Sequence, residues 1–251
     1  MIIYPHNASE SATEYAYRVL KKNIIHMTLP PGMAISPLEV AAELRISRTP
    51  LQSACTRLAS DGLLSIIPQK GSYVSLIDLQ RVYESVFMRN ILDQAAVRRL
   101  CTSPRLDGAI LALEANLNQQ EFFLKTNAAQ EIIELDNEFH NIIYTMSEMS
   151  NIQIALSSIS TDQDRVRYMK MQSKIRMHET VKEHKDLLNA IKQQDGDMVS
   201  RLSYEHVSKF GVDIASIYEQ NPSFFSNWDE NLLSHFVCKK ELFYNMIKVS
   251  I

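Results

Sequence analysis

The chain has 251 residues, a formal net charge of −3, and 45% hydrophobic against 22% charged residues. That composition belongs to an ordinary soluble globular protein of one large or two modest domains, with enough chain to bury a core. It excludes low-complexity and fibrous chains, and no run approaches the ~18 apolar residues of a membrane span.

The opening residues, MIIYPHNASESATEY, have no basic n-region and no long apolar h-region, so no signal peptide is expected. Cys55, Cys101 and Cys238 are odd in number and far apart, which fits a reducing cytoplasm better than a disulfide framework. Residues 1–80 carry seven Lys/Arg against six Asp/Glu, and the remainder nineteen against twenty-three. Any binding of nucleic acid must therefore come from local placement of charge in the N-terminal part.

In chain order, Ala12, Tyr15, Ala16, Val19, Leu20 and Ile24 recur at helical spacing and predict a helix over 9–27. Leu29-Pro30-Pro31-Gly32 stops it. Ser36-Pro37-Leu38-Glu39 reads as a capping box opening a short helix that ends near Leu44. After a tight turn at Arg45-Ile46, Ser47 caps a second helix that runs to about Ser60 and ends at Asp61-Gly62. Pro50 is tolerated in its first turn, where backbone donors have no intrahelical partner. Residues 63–67 and 72–76 are rich in strand formers and flank Pro68-Gln69-Lys70-Gly71, a β-hairpin pattern. Three helices followed by a hairpin predict a winged helix-turn-helix over 1–77.

From Asp78 onward the pattern is helical only. Helices are expected over 79–101, 105–125, 128–147, 152–174, 177–194 and 197–219. The expected fold is mainly α: the winged helix-turn-helix, then an all-helical bundle over 78–225 and a C-terminal extension over 226–251. Phe224, Phe225, Trp228 and Phe236 suggest that the tail packs on something.

Two groups of residues carry chemistry. On the helix after Ser47, Arg48, Gln52 and Thr56 are spaced i, i+4, i+8 on the open side, away from Leu51, Ala54, Cys55 and Leu58. A recognition helix presents such residues to the major groove, where Arg suits guanine and Gln suits adenine. Ser47 and Thr49 are placed to hold phosphate oxygens, and Lys70 and Gly71 to form a wing tip.

The second group lies on apolar stripes. Asp136 and His140 share a face with Ile132, Ile133, Phe139 and Ile143; His184 with Leu187, Leu188 and Ile191; His206 with Leu202 and Phe210. A tight turn near Asp195-Gly196 makes 177–194 and 197–219 an antiparallel hairpin. His184 and His206 then each sit about 16 Å from the turn and face one another. Burying these polar groups costs several kcal/mol unless they are partnered. A divalent ion, zinc foremost with nickel, manganese or iron as alternatives, supplies a reason. Glu183 and Glu138 neighbour these residues and are expected to point away.

Arg89 falls in the stripe of Val82, Val86, Leu92 and Ala96. It reads either as an internal ion pair to Asp93 or Asp136, or as a clamp for a ligand carboxylate. Arg165 and Arg167 are further candidates for the same cavity. The residues leave a metal-dependent hydrolase fused to a winged-helix interaction module as an alternative, although no Gly-rich phosphate loop or nucleophile elbow is present.

Leu29-Pro30-Pro31-Gly32, Leu38, Val40-Ala41-Ala42-Glu43-Leu44, Ile46 to Leu51, Arg57-Leu58, Asp61-Gly62-Leu63 and Lys70-Gly71 together resemble the DNA-binding domain of the GntR family, FadR branch. The resemblance implies that Arg48 contacts a base and that Arg57 belongs to the DNA-binding set. Gln52-Ser53 departs from the family's usual Arg-Glu, which implies a different operator. Asp136-xxx-His140, Glu183-His184, Asp195 and His206 resemble the FCD sensor domain, in whose metal-binding members these Asp and His positions hold the ion. Arg89-xx-Leu92-Asp93 meets that domain's Arg-xx-Leu-acid pattern. The resemblance implies a cytoplasmic, ligand-responsive repressor: a homodimer that binds a double-stranded operator and a small carboxylate effector.

Overall fold

The computed structural model of the chain describes residues 1–173 and 177–229, the side chains of 211 and 212 aside. Phe236, His235, Cys238 and the rest of the expected extension from residue 230 lie outside the described residues.

Helix α1 (Ala12–Ile25) begins with a reciprocal cap. Ser11 Oγ accepts the Glu14 amide at 3.2 Å, and the Glu14 carboxylate accepts the Ser11 amide at 2.8 Å. Its stripe from Tyr15 to Ile24 packs on α3 (Arg48–Ser60) through Leu51, Ala54, Cys55 and Leu58. Between them, α2 (Pro37–Leu44) is capped by Ser36, which accepts the Glu39 amide, and only that half of the expected box forms. Ser47 occupies the cap position of α3, but its hydroxyl makes no capping bond.

The expected hairpin, β2 (Leu64–Ile67) and β3 (Gly71–Val74), gains a third strand, β1 (Ala34–Ile35), giving the antiparallel order β1-β3-β2. Two residues are too few to show an alternating pattern, so β1 is not legible from residue order. Gly32, at φ 82°, turns the chain so that its amide meets the Val74 carbonyl at 2.8 Å.

Behind the wing the chain is helical: α4 (Leu79–Leu100), α5 (Leu106–Thr126), α6 (Ala129–Met146), α7 (Ser150–Ile159), α8 (Thr161–Gln172), α9 (Met177–Lys192), α10 (Gly196–Ser208) and α11 (Phe210–Gln220). Two predicted helices are thus each divided. The segment expected over 152–174 breaks at Ser160, whose hydroxyl donates to the Leu156 carbonyl at 2.8 Å, the back-bond that bends helices. The one expected over 197–219 breaks at Lys209, where packing passes from α4, alongside α10, to α8, alongside α11.

The bundle core of α4, α5, α6, α9 and α10 holds Leu100, Leu113, Phe139, Ile143, Leu187 and Ile191. Each fully buried Leu, Ile or Phe contributes on the order of 1.5–3 kcal/mol. A separate cluster, with Ile77, Leu79, Val82, Val166, Ile214, Ile217 and Phe225, joins linker, α8, α11 and tail. The tail residues Phe224 and Ser226 bracket Ile77 with two backbone bonds, at 2.8 and 2.9 Å, and Trp228 stacks on Tyr218. No helix among the described residues is long and apolar enough to cross a membrane.

Candidate functional site

On α3, Ser47, Arg48, Thr49, Gln52 and Thr56 are all exposed. Arg48, Thr49 and Gln52 line an open groove against Pro37 and Leu38 of α2. The Thr56 hydroxyl donates to the Gln52 carbonyl at 3.0 Å, leaving its lone pairs outward. Arg57 does not join this row. It lies about half a turn around the helix from Arg48, with its guanidinium 3.9 Å from the Tyr17 ring centroid of α1. Lys70 is exposed at the tip of the hairpin, and Gly71 begins β3 at φ 118°.

In the bundle, α6, α9 and α10 bring Asp136, His140, His184 and His206 together, with one donor atom of each within 4.8 Å of the others. The i, i+4 spacing stacks Asp136 and His140 on one face of α6. The hairpin of α9 and α10 sets the rings of His184 and His206 4.8 Å apart, as the equal distances from the turn predict.

Each imidazole has one nitrogen taken. His140 Nδ1 lies 3.3 Å from Asp93 Oδ2, His184 Nδ1 2.9 Å from Gln120 Oε1, and His206 Nδ1 2.8 Å from Glu183 Oε2. All three partners are oxygen acceptors, so they favour the tautomer with the proton on Nδ1 and a lone pair on Nε2. Among the described residues, the Nε2 atoms of His140 and His184 are buried without a hydrogen-bond partner. Burial holds all three rings below the ordinary imidazole value, His206 down to about 4, so they stay neutral at pH 7. Neutral imidazoles with inward lone pairs beside a carboxylate are the donor set that a divalent cation needs, and the residues fit one.

Asp136 is not idle. Its Oδ2 pairs with Arg167 Nη2, and its Oδ1 lies 3.4 Å from His184 Nε2. Arg167 also reaches Asp164 at 3.1 Å. Arg89 pairs with Asp93 at 3.2 Å, one of the two partners expected for it, and Asp93 also accepts from Tyr144 at 2.7 Å. Arg89 and Arg167 stand between two cavities. The smaller, about 50 Å³, reaches Asp136, Glu183 and His206. The larger, about 270 Å³, reaches His140, Tyr144, Gln153 and Ser157. Arg165 lines neither. It is wholly buried and donates to the Ser75 and Leu76 carbonyls while pairing with Asp162. Its neighbour two positions on faces the cavities because two residues turn a helix by about 200°.

Three partners escaped the sequence reading. Gln120 sits on the stripe of Ala109, Leu113 and Leu117, so its inward direction was legible. Asp93 is expected to pair with Arg89, and the structure adds His140 and Tyr144 to it. Glu183 was expected to point away, yet it lines the smaller cavity and also meets Lys209 at 2.8 Å. Position on α9 alone does not reveal this, because its partners His206 and Lys209 belong to the neighbouring helix α10 and its C-cap.

Comparison with known proteins agrees with both halves. Residues 12–74 match the family described as bacterial regulatory proteins, gntR family, and residues 84–209 match the FCD domain. The HTH-type transcriptional repressor RspR of Escherichia coli (strain K12) is 29% identical over 220 residues, 88% of this chain and 96% of that protein. The Nta operon transcriptional regulator of Aminobacter aminovorans is 28% identical over 179 residues, 71% of this chain and 83% of that protein. The solved structure of E. coli McbR/YncC is similar in fold, with a TM-score of 0.71, 21% identity and coverage of 84% of this chain and 99% of that one. These families and relatives are transcriptional regulators rather than enzymes.

Proposed function

The chain belongs to the GntR family of bacterial regulatory proteins and carries an FCD domain, and from that premise we propose that it is a metal-containing repressor released or retained on its operator by a small carboxylate. Asp136, His140, His184 and His206 would hold a divalent ion. When bound, the ion supplies positive charge and open coordination positions for a ligand oxygen. Arg89 and Arg167 stand beside it in both cavities and present planar donors to a carboxylate. Asp93, Gln120 and Glu183 orient the three imidazoles. Arg48, Gln52 and Thr56 read bases, Ser47 and Thr49 serve the backbone, and Lys70 and Gly71 form the wing contact, while Arg57, turned to Tyr17 of α1, stays outside the contact. Two chains bind a pseudo-palindromic operator, one winged domain per half-site.

The observation that carries the sensing half is the set of three neutral imidazoles on three helices, each with Nδ1 engaged by an oxygen acceptor. The test combines elemental analysis with fluorescence anisotropy on an operator selected in vitro, titrated with a panel of small mono- and dicarboxylates at fixed salt. The expected result is one bound divalent ion per chain and a change in operator affinity with at least one acid, weakened in Arg89→Met. Absence of any ion, with operator affinity indifferent to every acid, would overturn the reading.

A further inference from the structure

Helix α8 carries two Asp–Arg pairs with the same i, i+3 spacing, Asp162–Arg165 and Asp164–Arg167. They are offset by two residues, and so face roughly opposite ways from the helix axis. The second pair faces the candidate metal centre, where Arg167 holds Asp136. The first faces the linker. Arg165 donates to the Ser75 carbonyl at 2.5 Å and to the Leu76 carbonyl at 3.3 Å, and Asp162 accepts the Asp78 amide at 3.2 Å. The tail takes both backbone groups of Ile77. Between them, α8 and the tail engage every residue of the linker from 75 to 78.

The same end of α8 reaches the recognition helix. Arg81 lies 3.5 Å from Asp162 and donates at 2.9 Å to the carbonyl of Asp61, the C-cap of α3; Thr161 donates to that carbonyl at 3.4 Å. Gly62 lets this approach happen, since a Cβ there would come within 1.7 Å of the Arg81 guanidinium. Asp162 and Arg165 are 1% and 0% exposed. A buried ion pair of this kind adds little net stability compared with apolar side chains, and its best-attested use is to fix register.

We infer that α8 is the coupling element of this protein: Arg167 senses whether Asp136 is held by a cation or ligand, and Asp162 with Arg165 passes the resulting shift of α8 to the linker and to the end of the recognition helix. This rests on the sensing role proposed for the Asp136 site. A rigid helix places the two pairs about 3 Å apart along its axis, so a displacement at one is felt at the other.

Hydrogen exchange on the full chain, metal-free and with added zinc, tests it. In the wild type, zinc slows exchange in α6 and α9 and changes exchange at residues 75–78 and 59–63 by roughly fivefold or more, the lower end of typical allosteric coupling. The double variant Asp162→Leu/Arg165→Met removes both buried charges together and keeps the site packed. In it the zinc effect in α6 and α9 persists and the effect at 75–78 is lost. If zinc protects α6 and α9 in the wild type but leaves 75–78 unchanged, or if the double variant retains the linker effect, the coupling role is overturned while the metal reading stands. If zinc protects nothing, the metal reading fails and metal-free Arg167→Gln decides: altered exchange at 75–78 supports the coupling, and unaltered exchange overturns it.

Discussion

Glu183 Oε2 lies 2.8 Å from Nδ1 of His206, across the hairpin from α9 to α10. That carboxylate sets the tautomer of the ring without being one of the four clustered donors. Loss of such an orienting partner typically costs 10–100-fold in metal affinity. Glu183→Ala is expected to weaken zinc binding by about that factor, and Glu183→Gln, which keeps an acceptor oxygen, by less. Competition against a chelating dye reads both, and equal affinity in all three proteins would remove Glu183 from the centre.

Bound ion should appear as stability. An ion at about 100 times its Kd adds roughly 2.7 kcal/mol if the unfolded chain does not bind it. For a chain of this size that is a rise in Tm of about 5–10 °C. Zinc is expected to raise the Tm of metal-free wild type and to leave His140→Ala/His206→Ala unmoved. A variant that responds as the wild type does would show that the ion sits elsewhere.

The metal-free protein should lose stability in mild acid. Burial lowers the folded-state values of His140, His184 and His206 below the ordinary 6.5, His206 to about 4. The unfolded chain therefore takes up protons first as pH falls. The contribution of these rings is fully present above about pH 6.5 and is lost progressively toward pH 4. Denaturant midpoints of chelated protein should fall across that window, and zinc should hold the midpoint up in its higher part. A flat midpoint from pH 7 to 5 in chelated protein contradicts the burial of neutral imidazoles.

On the DNA face, Arg48→Ala is expected to cost about 1–3 kcal/mol on a specific operator and to relax preference at one base pair. Lys70→Ala should weaken binding to all sequences alike and reduce the salt slope by about 1. Titrations over a salt series separate the two. If Arg48→Ala weakens specific and random DNA equally, it contacts phosphate, not base.

The DNA-binding half was legible because its signals are local. Pro37 after Ser36, the turn at Arg45-Ile46 and the hairpin around Pro68 to Gly71 each fix backbone geometry within a few residues. The four-residue centre was legible for a related reason: polar groups on apolar stripes must have a partner, and helical spacing tells which side they face. The same spacing could not divide 150–172 at Ser160, since the break depends on where one hydroxyl finds an acceptor.

By itself the sequence determined that Asp136, His140, His184 and His206 turn inward, because a helix assigns each side chain a face from its number and these share theirs with apolar residues. Only the tertiary structure decided what each inward residue meets. Arg165 and Arg167 carry the same charge on one helix, yet the first clasps linker carbonyls and the second a carboxylate of α6. Glu183, next to His184 on α9, becomes the partner of His206 on α10. Those choices follow from which elements lie against each face in space, and contacts between residues distant in sequence leave no period to read.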